Sequence, residues 1–102
     1  MHKFVACYPP PEDMEAFTTH YTEVHLPLVR ELPGIRNPRY SFDVTTLTGG
    51  PGYALVFEAE FEDAAALQHA LASPQGAAAS ADVANFASGG VILFDYEPVA
   101  PR

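Results

Sequence analysis

The sequence predicts an α+β domain with the element order β-α-β-β-α-β. Three observations predict it. Short segments with period-two alternation or an apolar run stand at residues 2–8, 39–47, 53–61 and 91–96. Between the first two, apolar residues recur at helical spacing for about five turns. After the third comes an alanine-rich stretch, from Asp63 to Ala87. Everything falls within 102 residues, enough for one core and no second one.

Each element has a local cause. Residues 2–8 are apolar on both sides, as a central strand requires, and Pro9-Pro10-Pro11 ends them because proline cannot donate to a sheet ladder. Glu12 and Asp13 then put negative charge where a helix begins. Met14, Phe17, Tyr21, Val24, Leu28 and Leu32 form one helical stripe, stopped by Pro33-Gly34. Residues 39–47 and 53–61 alternate on either side of Thr48-Gly49-Gly50-Pro51-Gly52, which reads as a hairpin. Pro74 and Gly76 split the alanine-rich region into two helical pieces, and Gly89-Gly90 launches the last strand.

That order suggests a ferredoxin-like fold, a four-stranded antiparallel sheet with its helices on one face. Whichever register is chosen, the other face still carries large or apolar side chains. An open patch of that kind is unusual in a monomer, so a homodimer burying sheet against sheet is expected.

Composition narrows the function. Thirteen acidic side chains face Lys3, Arg30, Arg36, Arg39 and Arg102, a net charge of −8. Such a chain repels phosphate backbones and anionic membrane surfaces, so neither nucleic acid nor membrane is expected as a partner. No apolar run approaches the roughly 18–20 residues that span a bilayer, and the first residues lack signal-peptide features. A cytoplasmic location is expected. The lone Cys7 forms no internal disulfide or thiolate zinc site. There is no nucleophile motif, dinucleotide fingerprint or phosphate loop, so no cofactor is expected.

The candidate chemistry centres on His25. At ~100° per residue from Phe17, it falls about 80° round the helix, at the edge of the stripe and one turn after Tyr21. Two residues on, Pro27 removes an amide donor and crowds the Glu23 carbonyl, costing about 3 kcal/mol in a regular helix. A broken local rule beside a half-buried imidazole points to a functional site, because imidazole is the usual acid/base at neutral pH. A core-edge histidine bonded to a backbone carbonyl is the alternative. Asp82 lies in an otherwise small and apolar run, placed either to orient a histidine or meet a substrate hydroxyl, or to cap a turn. His2 shares a strand face with Phe4, Ala6 and Tyr8, and approaches the same cavity if that face meets the helices. His20 falls ~140° from His25 on the wheel, so the two do not share a helix face and no metal site is expected. His69 reads as solvent-facing.

The run Phe17-Thr18-Thr19-His20-Tyr21-Thr22-Glu23-Val24-His25-Leu26-Pro27-Leu28-Val29, with Leu32-Pro33-Gly34 after it, resembles the EthD signature. In that family an aromatic precedes a His-x-Pro-Leu segment by one helical turn, and Pro-Gly closes the helix. Ser73-Pro74-Gln75-Gly76 and residues 81–87 resemble the family's second helical region. Tyr21 stands where many relatives carry tryptophan. The resemblance spans nearly the whole chain and implies a single EthD-like domain over residues 1–102. It also implies a dimeric α+β barrel, in which two ferredoxin-like subunits pack their sheets together. The family is named for ethyl tert-butyl ether degradation. Relatives on the fold include cofactor-free cyclases, dehydratases, isomerases and small monooxygenases, many with one histidine in a cavity between helices and sheet.

Two functions compete. One is a cofactor-independent enzyme moving protons on a small apolar oxygenated or aromatic compound, by isomerisation, dehydration or cyclisation. His25 would be its acid/base, Tyr21 a donor to a developing oxyanion and Asp82 the orienting group. Phe17, Leu28 and Phe86 are the expected substrate contacts. The other is a non-enzymatic protein that holds a hydrophobic ligand for an oxygenase-type degradation pathway. A pocket packed shut, with His25 purely structural, would be neither.

Overall fold

The computed structural model describes all 102 residues. Strand β1 (His2–Tyr8) is followed by a helical run in three parts: α1 (Met14–His20), a π-helical turn (Tyr21–His25) and α2 (Leu26–Arg30). Then come β2 (Arg36–Ser41), β3 (Leu55–Phe61), α3 (Ala64–Ala72), α4 (Pro74–Asp82), a 3-10 turn (Val83–Asn85) and β4 (Ile92–Tyr96). The sheet has the order β2-β3-β1-β4 with every neighbouring pair antiparallel, as the ferredoxin-like reading expects. No helix is long and apolar enough to cross a membrane.

The helix starts follow from their caps. Asp13 accepts the Ala16 amide at 3.0 Å, and Asp63 accepts that of Ala66 at 2.8 Å. Ser73 ends α3 and caps α4 through the Gly76 amide at 3.0 Å, with Pro74 in the first turn where no donor is needed. Gly76 therefore lies inside α4 and does not break it. It is required there because an added Cβ would run into the backbone carbonyls of Ala70 and Leu71.

Three boundaries differ from expectation. The second strand is Arg36–Ser41, not residues 39–47, and a bulge between Arg36 and Arg39 shifts its register against β3. Asn37 takes a positive φ of 50° there, an angle asparagine tolerates. Residues 42–54 form one long loop, and the third strand begins at Leu55 rather than Tyr53. The last strand starts one residue late, at Ile92.

The first helical run is not one regular helix, and Pro27 is the reason. With no N–H, it has nothing to give the Glu23 carbonyl, and its ring would crowd that group. The Leu26 amide instead reaches back to the Tyr21 carbonyl, one residue further than in an α-helix. Pro27 then falls in the first turn of α2. The extra residue moves the buried stripe: Phe17, Tyr21, His25 and Val29 face inward at intervals of four, between 1% and 7% exposed. Val24 and Met14 turn outward and Leu28 is only partly buried, contrary to the regular wheel.

The core lies between the helices and the Phe4, Ala6, Tyr8 face of β1. Phe17, Tyr21, Leu55, Phe61 and Leu67 are its largest fully enclosed side chains, each worth about 1.5–3 kcal/mol. The opposite face divides in two. Along β1 and β4 it is apolar, with Val5 and Cys7 beside Ile92, Phe94 and Tyr96, the last three each about half exposed. Along β3 and β2 it is charged, where Glu58 meets Lys3 at 3.5 Å and Arg39 at 3.3 Å.

Candidate functional site

A cavity of about 340 Å³ opens between sheet and helices, walled by Phe4, Phe57, Val29 and Ala79 among others. Leu93 and Leu71, 55% and 39% exposed, mark where it reaches solvent. The wall is mostly apolar. Its polar groups are the His25 imidazole, the phenols of Tyr8 and Tyr21, and Ser80 at the rim.

His25 is 4% exposed, and both ring nitrogens have partners. Nδ1 lies 2.9 Å from Asp82 Oδ2, and Nε2 lies 3.4 Å from the Tyr8 hydroxyl. An ionised carboxylate only accepts, so it holds the proton on Nδ1 and leaves Nε2 as the acceptor toward Tyr8 and the cavity. Burial is the larger influence on the ring and lowers its pKa below the ordinary 6.5, although the Asp82 hydrogen bond pulls the other way. At neutral pH the imidazole is therefore an uncharged base.

Asp82 stands behind His25 and does not line the cavity. Burial alone would raise its pKa, but hydrogen bonds from His20, Asn85 and His25 hold the carboxylate below its ordinary range. Tyr8 and Tyr21 are pushed well above the ordinary phenol value, chiefly by burial. Both remain O–H donors at neutral pH. Their rings meet edge-on at 5.7 Å. The Tyr21 ring also lies 5.5 Å from that of His25, so both tyrosines border the imidazole.

The structure thus brings together His25, Asp82 and Tyr21. Phe86 and Phe17 sit elsewhere than a cavity wall: Phe86 backs the imidazole at 4.7 Å, and Phe17 stacks behind Tyr21 at 6.2 Å. Leu28 does not reach the cavity, because the π turn brings Val29 there instead. His20, expected to diverge from His25, converges with it on the same carboxylate, at 2.9 and 3.1 Å from its two oxygens. His2 lies on the helix-facing side of β1 but at its far end, bonded to Asp95 at 2.7 Å and Glu97 at 3.4 Å. Sequence reasoning passed over Tyr8. Its signal was present: it is the last residue of the Phe4, Ala6, Tyr8 face, set at the strand end by the prolines that follow.

A family model described as the EthD domain matches residues 9–90. The chain belongs to the EthD family. The motif resemblance in both helical regions is accordingly the mark of a real EthD domain. The chain is 42% identical to an uncharacterized 11.0 kDa protein of the thcB-thcC intergenic region of Rhodococcus erythropolis, covering 99% of this chain and 100% of the other. It is similar to the crystal structure of an ethyl tert-butyl ether degradation (EthD) family protein from Bacillus halodurans. That match has a TM-score of 0.87 and 33% identity, over 97% of this chain and 99% of that one. A dimeric protein of ferredoxin-like fold from Bacteroides fragilis superposes with a TM-score of 0.67 at 17% identity, over 94% of each chain. That likeness concerns the fold alone.

Proposed function

We propose that this EthD domain is a cofactor-independent enzyme moving protons on a small, neutral, apolar compound that carries an oxygen function. One observation carries the reading: the buried imidazole is held at Nδ1 by Asp82 while Nε2 looks past Tyr8 into an apolar cavity. A base so placed takes a proton from a C–H or O–H beside a carbonyl. The resulting imidazolium is stabilised by Asp82, and the negative charge left on the substrate oxygen is met by the Tyr21 or Tyr8 hydroxyl. Returning the proton to a different atom completes an isomerisation. Giving it to a β-hydroxyl lets the enolate expel water and form a C=C bond, a dehydration; addition of the carbanion to a second carbonyl of the same molecule, whose oxygen takes the proton, gives cyclisation. The cavity volume is at the small end of ligand sites, roughly 300 Å³ and upward. No Lys or Arg lines it, so an anionic substrate has no partner there.

A second copy of the chain completes the domain on the outer face. Ile92, Phe94 and Tyr96 form the apolar strip that a partner sheet covers, and the dimeric relative from Bacteroides fragilis has the same fold. Light scattering at micromolar concentration is expected to give twice the chain mass; a stable monomer contradicts it.

The catalytic reading is tested by hydrogen–deuterium exchange, with no need to know the natural product. Enolisable cyclic ketones, β-dicarbonyls and lactones are incubated with the protein in D2O and followed by NMR. Exchange accelerated by wild type, and lost in His25→Ala with binding retained, is the expected result. Ligands that bind without any faster exchange point instead to a carrier serving a degradation pathway.

A further inference from the structure

Asp82 is a shared group. Its Oδ2 holds His25 Nδ1 at 2.9 Å, His20 Nε2 lies within 3.1 Å of both oxygens, and Asn85 donates to Oδ1 at 3.1 Å. The two imidazoles differ in access to water, with side chains 27% and 4% exposed for His20 and His25. Phe86 joins them, stacked on His20 at 5.2 Å and tilted against His25 at 4.7 Å. The outer side of His20 opens on a shallow surface cleft with Asp13, Glu15 and Glu23.

The π turn makes this convergence happen. His20 directly precedes it and His25 is its last residue. Five residues apart, they would point ~140° from one another on an α-helix, but the wider i to i+5 turn narrows that angle and lets both rings reach Asp82. The distortion that accommodates Pro27 therefore also delivers a second imidazole to the carboxylate.

We propose that His20 is a positioning residue of the site: it locks the Asp82 carboxylate in the orientation that holds His25, and it sets a second imidazole across that carboxylate from the buried base. The proposal deepens the reading of His25 as the base and rests on it. With donors on both oxygens, the carboxylate cannot rotate without breaking a hydrogen bond. When His20 is charged, it claims part of the Asp82 charge and resists a second positive charge on His25 across the same group. The groups facing His20 are Asp82 from α4, Asn85 from the 3-10 turn, and Asp13, Glu15 and Glu23 from its own helical run. His25 is the cation-forming group on the far side of Asp82.

The test is a pH titration of the His25 imidazole by nitrogen-15 NMR on the intact protein and two variants. His20→Gln retains an N–H donor but has no charge. Its His25 midpoint is expected to rise by about half a pH unit, with the hydrogen-bonded Nδ1–H resonance kept. His20→Ala removes the donor as well and leaves Asn85 alone opposite His25, so the carboxylate is held less firmly and that resonance should broaden. An unmoved His25 midpoint in His20→Gln overturns the proposal, as does an undiminished Nδ1–H signal in His20→Ala. Neither readout depends on turnover. A moved His25 midpoint and a weakened Nδ1–H signal without any catalysed exchange would thus sink the enzymatic reading and leave the positioning role standing, and the converse result would do the opposite.

Discussion

Two histidines sit against carboxylates at the two ends of β1, and they respond to them in opposite ways. His2, at the start of the strand, bonds Asp95 and Glu97, whose side chains are 43% and 54% exposed. The Asp95 hydrogen bond is the dominant influence and raises the pKa of the ring. His25, beside the strand's other end, bonds an Asp82 side chain that is only 7% exposed, and burial lowers its pKa. Both rings are nearly enclosed, so exposure of the imidazole is not what separates them. His2 has water-facing carboxylates to itself. His25 is embedded among Phe86, Tyr21 and Tyr8, and shares one carboxylate with two other donors. The hydrogen-bonded carboxylates favour the charged ring in the first setting, and burial favours the neutral ring in the second.

The largest expected effect comes from removing the shared carboxylate. Asp82→Ala leaves two imidazoles and the Asn85 amide without an acceptor, one imidazole being wholly buried. A loss of about 3 kcal/mol in urea unfolding is expected. The matching change at the exposed end, Asp95→Ala, should cost no more than ~0.5 kcal/mol. Equal losses at the two ends would break the comparison.

Tyr8→Phe acts at the site itself. It removes a hydroxyl 3.4 Å from His25 Nε2 and leaves the ring packing intact. Stability should change by less than about 1 kcal/mol, whereas deuterium exchange on a bound ketone should slow by roughly tenfold or more. An unchanged rate would leave Tyr21 as the sole donor.

The pH dependence separates the two histidines by sign. Because the folded state lowers the His25 pKa, its contribution is full above the ordinary 6.5 and is lost as pH falls through the lowered value. In that window the unfolded chain takes up a proton that the buried ring refuses. Asp82 adds to the acid loss further down, its contribution being present above the ordinary 3.8 and lost through its lowered value. The His2 contribution runs the other way: it is full below 6.5 and disappears as pH rises through the raised value. Urea midpoints measured across pH should therefore fall on the acid side of 6.5, with a shallower decline on the alkaline side.

The gentlest test alters nothing in the chain. Titrated in one NMR experiment, His2 should have its midpoint above 6.5 and His25 below it. Midpoints in the same order but both above 6.5 would mean that the Asp82 hydrogen bond outweighs burial at His25.

Much of this molecule is written locally. The order of elements along the chain, the caps at Asp13 and Asp63, the stop at Pro9-Pro10-Pro11 and the break at Pro74 all follow from residues within a few positions of the feature they cause. The inward placing of Phe17, Tyr21 and His25 was legible in the same way, since each lies one turn from the next. Pro27 was legible as a disturbance but not as a π turn. The wheel assumes regular spacing, so it placed Leu28 where Val29 stands and set His20 apart from His25. The second strand was displaced for a related reason. Residues 42–47 alternate, yet a sheet needs a partner's hydrogen bonds as well as a pattern, and β3 supplies none beyond Ser41.

The sequence by itself determined that the chain is an acidic α+β domain with an inward histidine next to a rule-breaking proline. Periodicity, capping and chain breakers act over a turn or a strand, and they are read within that distance. Only the tertiary structure decided what that histidine touches. Asp82 lies 57 residues from it and Tyr8 17, on different elements. Packing α4 over the first helical run and the sheet beneath it brought them within hydrogen-bonding reach. Burial then set the protonation of the ring, because the loss of water depends on every neighbour at once and on no one stretch of chain.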